Sequence, residues 1–159
     1  VTSEGHAPSS AAMILLGSGL AVTVSKFLFG RLSETISTYY CNLLFGGISF
    51  LGMIMILLFH GNLLLLGCGI VLFSAGLGMS TVGLVIWASD LSAEGEFEKL
   101  NHRYQTGFSL GALMFSFVPG AMADYFHGSY IPAFFLLTIC LVIVIITVTF
   151  IYKRNEAVS

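Results

Sequence analysis

Charge is what this sequence has least of. Six Lys+Arg and eight Asp+Glu make up 9% of 159 residues, against roughly 25% in soluble domains. That is too little to coat a water-soluble globule. It argues against a soluble enzyme, and a net charge of −2 leaves no footprint for a polyanion. Catalytic signatures are missing as well: there is no H-E-x-x-H, G-x-S-x-G or P-loop. None of the four histidines has an acidic or Cys partner at i+3 or i+4 within an apolar stretch. No enzyme, cofactor or metal is expected on these grounds. The cysteines number only three, Cys41, Cys68 and Cys140. Each lies in an apolar run without metal-ligand spacing, so all three read as small buried hydrophobes. The chain opens on Val1 and a polar stretch with no basic n-region, which is not a signal peptide. It is expected to be a piece of a longer protein.

What the chain has in quantity is apolar sequence: 57% hydrophobic residues and a mean hydropathy of +0.96. Five stretches stand out, at about 10–29, 36–59, 63–88, 104–123 and 130–152. Each is long enough to cross a ~30 Å bilayer core as a helix of ~20 residues. In lipid the backbone must satisfy its own hydrogen bonds, and two-residue alternation is absent, so helices are predicted and a β-barrel is disfavoured. The fold class is all-α: a polytopic membrane protein with five transmembrane helices. A polar outer segment, 1–9, precedes the bundle of 10–152, and a tail, 153–159, follows it.

The basic residues set an orientation. Lys26 and Arg31, Lys99 and Arg103, and Lys153 and Arg154 all fall on one side of five alternating spans. By the positive-inside rule that side, with the C-terminus, is cytoplasmic. The expected location is the cell membrane.

Glycine marks the helices that approach others closely. The third stretch holds Gly67, Gly69, Gly76, Gly78 and Gly83, and the fourth holds Gly107-x-x-x-Gly111. Small residues let helix backbones meet in a bilayer. Gly76, Gly78, Gly83, Gly107 and Gly111 are therefore predicted packing positions, serving either static packing or a moving bundle. The fifth stretch has no glycine and suits a lipid-facing helix.

Two short motifs recur in opposite orientation. Gly30-Arg31-Leu32-Ser33-Glu34 closes the first stretch, and Gly120-Ala121-Met122-Ala123-Asp124 closes the fourth. An inverted repeat places such copies on opposite surfaces. The first resembles the signature loop of the major facilitator superfamily, G-x-L-A/S-D-R/K-x-G-R/K-R/K. Thr35, Ser37, Thr38 and Tyr39 depart from it. The run from Pro119 to Tyr130 is similar to the P-G-x-x-A-D-x-x-G-x-Y of that family's penultimate helix and turn. With span number and orientation, the resemblance covers essentially the whole chain and implies part of one half-bundle: helices eight to twelve, or else two to six.

The resemblance further implies that the first, third and fourth spans line the interface between halves while the second and fifth face lipid. It implies a secondary transporter moving a small solute by alternating access, with the missing helices as partners beside the lipid bilayer. The alternative is a non-transporting membrane scaffold or assembly subunit. Pathway candidates are Ser80, Thr81, Trp87, Gln105, Ser109 and Ser116. Their structural alternatives are back-bonding hydroxyls and, for Trp87, an interfacial aromatic. Asn42 is expected to make an interhelical hydrogen bond. Gly30, Arg31, Glu34, Gly120 and Asp124 are candidate helix-end gating contacts. No carboxylate lies at a midplane position, and Lys26 is expected one turn inside the membrane, where it can snorkel or pair with an acid.

Overall fold

The structure is a computed structural model that describes residues 8–156. The polar opening 1–7 and the tail end 157–159 lie outside the described residues. Six helices are present: α1 (Pro8–Thr35), α2 (Thr38–Leu58), α3 (Leu63–Gly76), α4 (Gly78–Leu91), α5 (Phe97–Tyr125) and α6 (Ile131–Glu156). They make five spans long and apolar enough to cross a membrane, with α3 and α4 sharing one, Leu63–Leu91. At 1.5 Å per residue α2 is about 31 Å long, which matches a bilayer core.

The helices outrun the hydropathy. The first was expected to stop near residue 29, yet Gly30 to Thr35 continue α1. Only Ile36 and Ser37 separate α1 from α2, and Ser37 turns the chain at φ 133°. The long polar loop is likewise shorter than expected, because α5 begins at Phe97 rather than near 104. Glu98, Lys99, Leu100 and Arg103 favour helix, and a helix need not end where the lipid does. At the other end of α5 the expected glycine stop is present. His127 and Gly128 adopt φ 55° and 89°, and the Gly128 N–H donates to the Ala123 carbonyl at 2.7 Å. Asn62 caps α3 by accepting from the N–H groups of Leu64 and Leu65.

The third span, expected as one continuous helix, breaks at Leu77. The residue keeps φ −65° and ψ −8°, and its N–H is shared between the Phe73 and Ser74 carbonyls, both at 3.1 Å. The cause is close packing on both sides of the break. A Cβ on Gly76 would strike Ser49 and the Phe45 carbonyl of α2, and one on Gly78 would strike Ser25 of α1. One half of the span thus locks onto α2 and the other onto α1.

α2 occupies the centre, against α1, α3, α4 and α6. Of its most apolar window, 44% is buried, compared with 6% for α5. The second span, expected to shield the others from lipid, is thus buried on one side, with Leu44, Leu51 and Leu58 exposed on the other. Its glycines explain the buried side. A Cβ on Gly52 would lie 2.7 Å from the Gly69 carbonyl and 2.8 Å from Phe73 Cα, and one on Gly46 would lie 2.9 Å from Ile145. Around these approaches sit two apolar clusters: Phe29, Cys41, Phe45, Met79 and Leu141, then Met53, Ile56 and Leu66. The Phe29 and Phe45 rings meet edge to face at 5.2 Å. Of the cysteines expected to be buried, Cys41 is, Cys140 is half-buried and Cys68 is exposed. Cys68 falls on the outer side of α3, in a groove with Met13 and Leu64.

Gly52→Leu is expected to destabilise the bundle by about 1–3 kcal/mol, the cost of overpacking a tight contact. Gly47→Leu, where a Cβ meets nothing within 4 Å, is expected to leave it unchanged. Denaturation of both variants in detergent checks this.

Candidate functional site: the open face of the bundle

The two ends of the bundle differ. At one end Tyr152 of α6 donates its hydroxyl to Asp90 of α4 at 2.9 Å, close to Leu91 and Arg103. At the other, His60 lies near Gly128 and Tyr130. The ends of α1, α4 and α6 and the start of α5 therefore share one surface, the end to which the basic residues belong.

α5 is the least covered helix, with Ala123 its one buried residue among those described. Its sequence is two-faced. At 3.6 residues per turn, Gln105, Ser109, Ala112, Ser116 and Gly120 fall within an arc of about 80°. Ser109, Ser116 and Gly120 are exposed and Gln105 is half-buried. On nearly the opposite side of α5, Arg103, Tyr104, Gly107 and Phe108 border a cavity of about 490 Å³ between α4, α5 and α6. Ser80 and Trp87 of α4 also line that cavity, whereas Thr81 lies about 100° around the helix from Ser80.

The six polar candidates therefore divide. Ser80 and Trp87 turn to the inner cavity. Thr81 on α4 and Gln105, Ser109 and Ser116 on α5 do not line it. Ser80 and Ser116 donate to the Leu77 and Leu113 carbonyls at 2.7 and 2.6 Å, as back-bonding hydroxyls do. Trp87 donates its indole N–H to Asn42 Oδ1 at 3.1 Å, so Asn42 makes the interhelical bond expected of it. The Asn42 amide nitrogen is buried without a partner.

The glycines divide as well. Gly76 and Gly78 sit at backbone contacts, and a Cβ on Gly83 would lie 3.4 Å from Trp87 and 3.6 Å from Phe29. Around Gly107, Gly111 and Gly120 a Cβ meets nothing within 4 Å, so no helix of this chain packs on them. Gly52, Ser25 and Ser49, which with Gly69 make the closest approaches, were not singled out from sequence. An isolated glycine carries no mark of which partner it will meet. Of the helix-end residues, Gly30 lies 3.9 Å from Val82 through an added Cβ, and Arg31, Glu34 and Asp124 are exposed. Among the described residues the one ion pair is Lys99–Glu96, at 3.5 Å on the surface.

Ser25 of α1 is buried against Gly78, beside the break in the third span. Its neighbour Lys26 lies nine residues before the end of α1 and one turn before Gly30. It is half-buried, and Gly30, one turn further along the same face, borders α4 at Val82.

A double-mutant cycle of Asn42→Leu and Trp87→Phe is expected to give a coupling of about 0.6 kcal/mol and at most ~1.7, the range for hydrogen bonds between membrane helices. Equilibrium unfolding of the four proteins measures it.

A family model described as Major Facilitator Superfamily matches residues 2–159. No curated protein and no solved structure matches the chain. The family match spans all five membrane-crossing segments and both helix-end motifs, and its members are membrane transporters. With an all-helical bundle of such spans, the match shows that this chain belongs to the Major Facilitator Superfamily and is a multi-pass membrane protein of that transporter kind.

Proposed function

We propose that the chain forms most of one lobe of a secondary transporter that moves a small solute by alternating access. The small, polar arc of α5, left uncovered in an otherwise apolar molecule, carries this reading. Lipid does not favour exposed Ser and half-exposed Gln, whereas a second lobe and a water-filled path between lobes do. Thr81 of α4 likewise lies off the inner cavity. The arc with Thr81 is then the solute path. Trp87 and Ser80 stiffen α4 from behind, and Gly107 and Gly111 give α5 room to move against α6.

The partner lobe would be supplied by the remaining helices of a twelve-helix protein, this chain being helices eight to twelve. Gly30, Arg31 and Glu34 at one surface and Gly120 and Asp124 at the other would meet that lobe at the helix ends and open in alternation. The basic end is cytoplasmic in the cell membrane, as the positive-inside rule requires. The chemistry we propose is transport without catalysis, as no nucleophile–base pair lies on the α5 arc among the described residues.

The test is two-sided accessibility in vesicles of the full protein, with native cysteines replaced. Gln105→Cys sits toward the basic end and Ser116→Cys toward the other. A transported solute is expected to raise labelling by an impermeant maleimide at one position and lower it at the other. Met114→Cys, about 160° around the helix from the centre of the arc, is expected to stay unlabelled. Parallel changes at the two positions, or equal labelling of Met114→Cys, would rule out alternation along this face.

A further inference from the structure

Independently of the solute path, we infer that the cavity between α4, α5 and α6 is a lipid slot: it takes an acyl chain of an anionic phospholipid from the leaflet at the basic end, with the phosphate on Arg103. The first observation is its dimensions. Its walls run from Leu77 to Leu91 on α4 and from Leu141 to Tyr152 on α6, about 16–21 Å at 1.5 Å per residue. They reach from the break in the middle of the third span to the basic end. That is the depth of one leaflet, half of a ~30 Å core. A volume of about 490 Å³ drawn out over that length is too slender for another helix, about 10–12 Å across with its side chains. A hydrocarbon chain fits it.

The second is the chemistry of the walls. Met79, Leu84, Val144 and Val148 are apolar, and the polar groups beside them are already engaged. Ser80 donates to the Leu77 carbonyl, Trp87 to Asn42 and Tyr152 to Asp90. A hydrophilic solute would find nothing along these walls to replace its water, whereas an acyl chain needs nothing. Phe108, Val144 and Ile151 line the slot and are also exposed, so it opens sideways to the bilayer.

The third is the mouth. Arg103 and Tyr104 of α5 and Tyr152 of α6 border the slot at its basic end. Arg103 is exposed and forms no ion pair among the described residues. No Asp or Glu lines the slot. Of the acids at this end, Glu96 pairs with Lys99 and Asp90 accepts from Tyr152. A guanidinium grips a phosphate with two parallel bonds, tyrosine settles at headgroup level, and a basic pocket between helices at a membrane surface recognises anionic lipid. A molecule with an anion at one end and a long apolar chain behind it matches both parts of this cavity.

Trp87, the one tryptophan of this chain, lines the slot and supplies the readout. The full protein, with any other tryptophan replaced by Phe, is placed in phosphatidylcholine vesicles. Rising fractions of phosphatidylglycerol with dibrominated acyl chains are added, and in a parallel series brominated phosphatidylcholine. Bromine quenches an indole that it touches. The brominated phosphatidylglycerol is expected to quench Trp87 at about fivefold lower mole fraction, the share of one basic residue near a membrane surface. Arg103→Gln is expected to remove that preference, and Arg31→Gln, at the same end but outside the slot, to keep it. Gly107→Phe, at a position where a Cβ meets nothing within 4 Å, fills the slot with Arg103 still in place and is expected to remove the preference too. No quenching of Trp87 in the unaltered protein overturns the inference, a further helix of the full protein then covering the slot. Equal quenching by the two lipids, or a preference that survives Arg103→Gln or Gly107→Phe, overturns it as well.

Discussion

Helices in a bilayer gain nothing by hiding apolar surface from lipid, so this bundle depends on how closely its backbones can approach. The contact that sets the rest is between α2 and α3, where Gly52 and Gly69 bring main chain against main chain. Gly76 on Ser49 and Gly78 on Ser25 extend it across the break at Leu77. None of these positions tolerates a Cβ without displacement of a neighbouring backbone or a buried serine. Fixed this way, α2 becomes the axis of the chain. α4 is tied to it by the Trp87–Asn42 bond and to α6 by the Tyr152–Asp90 bond.

The same contacts explain why the opposite face is open. α1 and α4 are held by small residues on their inner sides, and α5 is held only along one edge. Its arc of Gln105, Ser109, Ala112, Ser116 and Gly120 is left without a partner. Polar groups in that position are costly in hydrocarbon and inexpensive at a wet interface. A stiff core behind an uncovered, mildly polar face suits the rocking lobe proposed above.

The first helix shows what hydropathy leaves out. The apolar run falls off near residue 29, yet Gly30 to Thr35 continue the helix with no break. Hydropathy reports where side chains become polar and not where a helix stops.

Number of spans, helical class, the shared side of the basic residues and the Gly128 stop were all legible in the residues alone. Each follows from local rules: the length needed to cross lipid, internal satisfaction of the backbone, and the left-handed conformation that ends a helix. The tertiary structure alone decided that α2 is central, that Ser80 and Trp87 line the inner cavity while Thr81, Ser109 and Ser116 do not, and that Gly52, with Gly69, rather than Gly107 and Gly111 carries the packing. These are matters of which face meets which neighbour. In a bilayer the apolar residues are nearly equivalent on every side of a helix, so the pattern along one segment cannot say where its partner will be.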